Sequence, residues 1–160
     1  EDILLLQPTQ HNARKQLAAL WFGKKSYQSA LNVLSQGIAL SPNNSDFRLM
    51  QARIYLKQGK NESALKTLQS LAKSENVSYQ SLRANIAQQL GKTDIAGDAY
   101  KILTEMQPQE GRWWLGVAIA YDTNSQFKLA TQAYKMALTQ NNLSTSSTQF
   151  AQQRMTQLGE

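Results

Sequence analysis

An all-α solenoid of paired helices is the fold class this sequence predicts, and three observations predict it. Ala30, Ala64, Ala96 and Ala130 stand in one recurring phrase (SYQSAL, KNESAL, KTDIAG, QFKLAT), separated by 34, 32 and 34 residues. A fixed period in the low thirties marks stacked supersecondary units, none of which can bury its apolar face alone. Apolar residues recur at helical spacing, as in Leu17, Leu20 and Trp21 or Leu31, Leu34 and Ile38, which gives paired amphipathic helices. Finally, Gly59 and Gly91 fall where the first helix of a pair must turn, and Pro42 and Pro108 where the second must stop.

Residues 1–10 read as an extension. ILLLQPTQHNAR echoes IALSPNNSDFR, with Pro8 lying 34 residues before Pro42. Residues 3–6 are therefore expected to be the tail of an incomplete preceding unit, or a strip through which two copies pair as a homodimer. Four units follow, at 11–44, 45–76, 77–110 and 111–144. Position 8 of each is Ala18, Ala52, Ala84 and Ala118, and position 20 is the alanine of the recurring phrase. Small side chains there let the two helices of a unit approach within roughly 8–10 Å. Position 11 is Trp21, Tyr55, Ala87 and Tyr121, and position 24 is Leu34, Leu68, Tyr100 and Tyr134. Residues 145–160 read as a cap: a helix from Ser147 to Leu158, started by Ser146 or Ser147, with Phe150, Ala151, Met155 and Leu158 facing inward.

This pattern resembles the tetratricopeptide repeat, with a bulky residue at position 4, small residues at 8, 20 and 27, aromatics at 11 and 24, and proline at 32. The resemblance covers residues 11–144 and implies a right-handed superhelical solenoid of four units plus the cap. Arg14 and Arg48 at position 4 and Leu71 at position 27 depart from it.

Composition narrows the class of function. The chain has 160 residues and no cysteine, so it has neither a disulfide framework nor a thiolate metal site. No stretch approaches 18 consecutive apolar residues, so none is expected to span a membrane. The chain opens at Glu1 without methionine or signal peptide and reads as a domain whose targeting segment lies outside it. Between residues 10 and 60, Arg14, Lys15, Lys24, Lys25, Arg48, Arg53, Lys57 and Lys60 face Asp46 alone. A basic first half suits a solvated helical face, an acidic protein, anionic lipid or nucleic acid.

Catalytic constellations are missing from the sequence. His11 is the only histidine, too little for a zinc site or a Ser-His-Asp arrangement. GKKS and GKTD lack the upstream glycine of a phosphate loop. The expectation is a non-enzymatic chain with no cofactor, no metal and no small-molecule substrate.

In tetratricopeptide domains the first helices of successive repeats line a concave groove, mainly through positions 2, 5, 9, 12 and 13. Carried onto this sequence, the resemblance implies a partner-binding face of Lys15, Phe22, Leu49, Arg53, Lys57, Asn85, Gln88, Arg112, Leu115 and Ile119, with Asp46 and Asp122 among its other members. Apolar anchors alternating with donors suit an extended or helical peptide. Lys15 followed by Ala19 breaks the carboxylate clamp used for chaperone tails. Trp114 falls at the bulky core position; Trp113, one place earlier, either fills a gap against the third unit's second helix or offers a surface aromatic to a ligand.

The phrase GRWWLGVAIAYDTNSQFKLATQAYKMAL, after ILTEMQP, and the opening DILLLQPTQHNARKQLAALWFG resemble the C-terminal region of the mannose-sensitive haemagglutinin (MSHA) pilus biogenesis family of the MshN type in gammaproteobacteria. That resemblance implies a periplasmic domain of an inner-membrane-anchored protein, its membrane segment outside this chain. It also implies a scaffold role whose protein partner is a component of a type IV pilus or secretion machine. The alternatives are another envelope scaffold, pilotin-like or a cytochrome-maturation factor, and nucleic-acid binding through the basic half.

Overall fold

The computed structural model describes residues 10–159. Its described residues form helices and no strand: α1 (His11–Gly23), α2 (Tyr27–Leu40), α3 (Ser45–Lys57), α4 (Asn61–Gln69), α5 (Val77–Gln89), α6 (Thr93–Met106), α7 (Gly111–Thr123), α8 (Phe127–Thr139) and α9 (Thr145–Gln157). They fall into two compact parts, an N-terminal half ending at Ser74 and a C-terminal half beginning at Glu75. The expectations placed on residues 3–6 lie outside the described residues.

Within each half the helices pack as antiparallel hairpins, each docked on the next. Ala18, Ala30, Ala52, Ala64, Ala84, Ala118 and Ala130 are fully buried and Ala96 nearly so. A methyl group is all that fits where two helix backbones meet, so a larger residue there would overpack the seam.

All four hairpin turns share one backbone. The residue at position 15 is left-handed in each: Lys25 (φ 59°), Gly59 (φ 71°), Gly91 (φ 68°) and Ser125 (φ 59°). The amide after it reaches back to the carbonyl at position 11, as in Ser26 to Trp21 (2.9 Å) and Gln126 to Tyr121 (2.8 Å). This six-to-one bond closes a helix whose last carbonyls would otherwise go unpaired. Glycine adopts that conformation without steric cost, whereas serine does not. Ser125→Gly is therefore expected to stabilise the chain by about 0.5–1 kcal/mol, read as a shift of the urea midpoint. A lower midpoint would show that the Ser125 side chain contributes more than its backbone costs.

The starts of the first helices are satisfied differently. The Asn44 side chain accepts from the amides of Asp46 and Phe47 at 3.0 and 3.3 Å, and that of Asn76 accepts from Tyr79 at 3.0 Å. Glu110 supplies no such cap to α7. Instead Asn142, beyond α8, accepts from the buried Gly111 amide at 3.0 Å and donates to the Gln109 carbonyl at 2.9 Å.

The N-terminal core is built from Ala18, Ala30, Leu31, Leu34, Phe47 and Ile54. Arg14 belongs to this interior, only 4% exposed, and not to the basic surface on which the sequence reading counted it. Its Nη1 donates to the Val33 carbonyl (3.1 Å) and Gln36 Oε1 (3.2 Å). The space comes from Gly37: a Cβ there would collide with the Arg14 side chain and lie 2.9 Å from Phe47 Cε2. A long side chain at position 4 thus packs over a missing one at position 27.

The cap differs from expectation at its start and on one face. Ser144, not Ser146 or Ser147, is the N-cap, its hydroxyl accepting from the Ser147 amide at 3.2 Å. Ala151 is fully buried, but Phe150 is 45% exposed and only its ring meets Tyr134, edge-on at 6.2 Å between centroids. A polar knot missing from the sequence reading holds α9 as well. Arg154 grips Asp122 through Nε (2.6 Å) and Nη2 (2.9 Å), and the Tyr134 hydroxyl donates to the same carboxylate at 3.0 Å. Asp122 is therefore spent inside the fold instead of facing a groove. The hydrogen bond from Arg154, offset in part by burial and helped by Tyr134, holds the Asp122 carboxyl below its ordinary range. Burial first, and Asp122 second, push the Tyr134 phenol up.

A carboxyl with a depressed folded-state pKa stabilises fully above its unfolded value, about 4, and loses that contribution as the pH falls below it. Acidification through that range is expected to speed amide exchange in α9 relative to α7. Asp122→Asn should produce the same loosening at neutral pH. Exchange in α9 that ignores both changes would show that packing around Ala151 holds the cap unaided.

Candidate functional site

In the N-terminal half, α1 and α3 run parallel, since each is antiparallel to the α2 between them. Lys15 Nζ lies 2.8 Å from Asp46 Oδ2, near the starts of the two helices. Toward their ends Ala19, Phe22, Met50, Arg53 and Ile54 line a pocket of about 150 Å³. Phe22, braced by the Tyr27 ring at 5.7 Å, forms part of its wall, and the Arg53 side chain is exposed at its side. The sequence-predicted residues therefore separate. Phe22 and Arg53 come together; Lys15 is neutralised by Asp46; Leu49 is 7% exposed and belongs to the core; Lys57 stands one turn beyond Arg53, exposed at the end of α3. Leu49 as a groove anchor is thus corrected, because its side chain is already buried within the protein.

In the C-terminal half the organising residue is Tyr100 on α6. Its hydroxyl donates to Gln88 Oε1 at 2.9 Å and lies 3.4 Å from Asn85 Oδ1, joining it to α5. The ring lies against Gly116 of α7, where an added Cβ would come within 2.5 Å of it. Burial raises the phenol's pKa, so it stays a neutral donor. Gln88, Tyr100, Gly116 and Ile119 line one pocket of about 250 Å³, which brings two sequence-predicted residues together with Asn85 beside them. Leu115 is half-buried. Arg112 is exposed, its guanidinium 4.2 Å above the Trp113 ring and 3.1 Å from the Glu110 carboxylate.

Of the two roles left open for Trp113 the structure shows the first, while Trp114, expected at the bulky core position, is only half-buried. Trp113 is 7% exposed, with its Nε1 donating to Gln107 Oε1 at 3.0 Å and its ring 6.4 Å from that of Tyr100. It is the gap filler against α6 and not a surface aromatic. Trp114 is the half-buried one, donating to the Pro108 carbonyl at 2.8 Å. Helical spacing explains the difference in burial: Trp113 shares a face with Val117 and Ala120, both buried. A larger hollow, about 500 Å³ beside Asn43, Ser45 and residues 69–74, contains none of the sequence-predicted residues. Among the described residues no three His, Cys, Asp or Glu side chains gather as metal ligands, and no helix is long and apolar enough to cross a membrane.

Two family models, both described as tetratricopeptide repeat, match residues 22–86 and 81–144. The chain is built of tetratricopeptide repeats. Solved structures agree on the fold. One structure of MamA aligns with a TM-score of 0.65 at 15% identity, covering 88% of this chain and 83% of that one. A second MamA structure gives 0.64 at 20% identity, over 90% and 83%. YrrB, described as a TPR protein with an unusual peptide-binding site, gives 0.65 at 16% identity, over 94% and 78%. Comparison with curated proteins found no match.

In repeat numbering, the third and fourth tetratricopeptide units share a device that sequence reasoning missed. Tyr100 and Tyr134 both occupy position 24, and each hydroxyl reaches a polar side chain at position 12 of its own repeat, Gln88 and Asp122. The sequence signal is a tyrosine twelve residues after a glutamine or aspartate. In the first two repeats position 24 is Leu34 and Leu68, both fully buried, and the link is absent. The four repeats therefore offer two chemistries on their first helices: an apolar pocket beside a cation in the N-terminal half, and a fixed amide–phenol array in the C-terminal half.

Proposed function

We propose that this chain is a non-enzymatic scaffold of type IV (MSHA) pilus biogenesis that binds a peptide segment of another pilus component along the first helices of its tetratricopeptide repeats. In this reading it is the periplasmic domain of an inner-membrane-anchored bacterial protein, whose anchor lies outside the chain. The observation that carries the binding role is the pairing of an apolar wall with polar donors in both halves. Phe22 stands beside Arg53, and Ile119 beside Gln88. An apolar side chain of the ligand would supply affinity in each pocket, and the donors would fix its register. Repeat solenoids use such surfaces for extended ligands, and the peptide-binding description of YrrB fits this use. The pilus assignment rests on the tandem-tryptophan phrase and its flanks.

The test is a photo-crosslinking residue at Arg53 or Ile119 of the full-length protein, expressed in the cells that make it. Capture of a pilus component at both positions, and not at the exposed Gln132 of α8, is the expected result. Capture only at Gln132 would overturn the first-helix site. Capture of an unrelated envelope protein at Arg53 and Ile119 would keep the site and overturn the pilus assignment.

A further inference from the structure

The chain's entire charge excess lies in its first half. Through Ser74 there are ten lysines and arginines against four acidic residues; from Glu75 onward there are seven of each. The fold concentrates part of that excess at one end of the N-terminal half. Because α1 and α3 are parallel, their terminal turns face the same end of this half, and these turns carry Lys24, Lys25, Lys57 and Lys60, all exposed. Glu62, in the first turn of α4, is the one acidic side chain in these turns or the helix starts after them. Asp46 is at the far end of the half, bound to Lys15.

Cations are favoured at helix C-termini by the backbone dipole, but that does not account for the cluster. The equivalent turns of the third and fourth repeats read Gln89-Leu90-Gly91-Lys92 and Thr123-Asn124-Ser125-Gln126, with a single lysine between them. Lys25 also holds a left-handed backbone (φ 59°) at a position that two other repeats give to glycine, so it occupies that place against its own steric preference. Aromatic rings accompany the charges. Lys24 Nζ lies 5.3 Å from the Trp21 ring centroid, and Trp21, Tyr27 and Tyr55 are half-buried, each packed on the N-terminal core.

We propose that this lysine edge rests on the surface of an anionic phospholipid bilayer. Three features favour that occupant. The cations are lysines, compact charges on flexible stems that suit a diffuse negative surface better than the bidentate recognition for which arginine is built. They sit on exposed turns, while a sequence-specific reader of duplex nucleic acid needs a helix or ribbon to enter the major groove. Tryptophan and tyrosine beside lysine are the side chains that settle at the headgroup level. The inference is separate from the peptide-binding reading, since the pockets at Phe22 and Ile119 take no part in it.

The experiment is co-sedimentation of the 160-residue chain with vesicles of phosphatidylglycerol and phosphatidylcholine in equal parts, and with pure phosphatidylcholine. Binding is expected to the anionic vesicles alone and to weaken as salt rises. Each lysine changed to glutamine should cost about fivefold in partitioning, so that the quadruple variant K24Q/K25Q/K57Q/K60Q no longer sediments. The exposed pair Lys101→Gln and Lys128→Gln, in the other half, should change little. Equal loss per lysine in both variants would mean that net charge, and not this edge, drives association, and would overturn the proposal. So would failure of the unaltered chain to bind anionic vesicles, or salt-sensitive retention on duplex DNA but not on lipid.

Discussion

Phe47→Ala is expected to cost about 3–5 kcal/mol, measured as loss of urea-unfolding free energy. Phe47 is fully buried and is the largest side chain of the N-terminal core. It fills the space that Gly37 leaves open, in contact with the path of Arg14, and its ring meets that of His11 edge-on at 5.4 Å. Removing the ring deletes its transfer free energy and leaves a cavity that two rigid helices cannot close. It also leaves the buried Arg14 guanidinium beside a void, where water is the only new partner. Phe47→Leu, which keeps most of the volume, should lose less than half as much. Equal losses would mean that the aromatic edge contact, and not the filled volume, is the principal contribution.

Gly116→Val is the second large effect, expected at about 2–3 kcal/mol by overpacking. At Gly116 even a Cβ would lie 2.5 Å from Tyr100 Cγ and Cδ1, so the ring must leave. Its departure breaks the hydroxyl's bond to Gln88 and removes a wall of the C-terminal pocket. The variant should therefore lose stability and crosslinking at Ile119 together. The companion Tyr100→Phe keeps the ring, loses only the hydroxyl's bond to Gln88, and should cost about 1 kcal/mol. If Gly116→Val folded with unchanged stability, α7 would have to slide along α6, and the Arg112–Trp113 stack would move with it.

What the sequence made legible is what repeats. Four alanines 32 to 34 residues apart, small residues at position 8 and glycines in two turns are constraints that the hairpins must meet, so they recur and can be aligned. The turns went further than the glycines alone suggested, because Lys25 and Ser125 adopt the same left-handed backbone that Gly59 and Gly91 signal. What could not be read is what each repeat does once. Arg14 is interior because of Gly37, a residue in another helix whose importance is the atom it lacks. Trp113 and Trp114 differ by a 100° step around one helix, enough to separate a buried ring from a half-buried one and below the resolution of a position template. The Arg154–Asp122 bond joins α9 to α7 across 32 residues with no period to announce it.

The same distinction divides the candidate site. Phe22 with Arg53 and Gln88 with Ile119 were reachable from repeat positions, which carry a surface register. Their selection from ten candidates depended on surroundings that no template encodes: the carboxylate paired with Lys15, the burial of Leu49, and the indole under Arg112.

The second repeat is two residues shorter than its neighbours, and the shortening has a practical outcome. Its second helix, α4, ends after nine residues at Gln69, and the chain runs through non-helical turns to Val77. Lys73 is exposed on that stretch, just before the point where one compact half gives way to the other. A trypsin cleft requires an extended, accessible chain around its basic residue, and helices withhold that conformation. Scission after Lys73 would deliver one fragment carrying the whole charge excess and one that is nearly neutral, separable by a single pass over a cation exchanger.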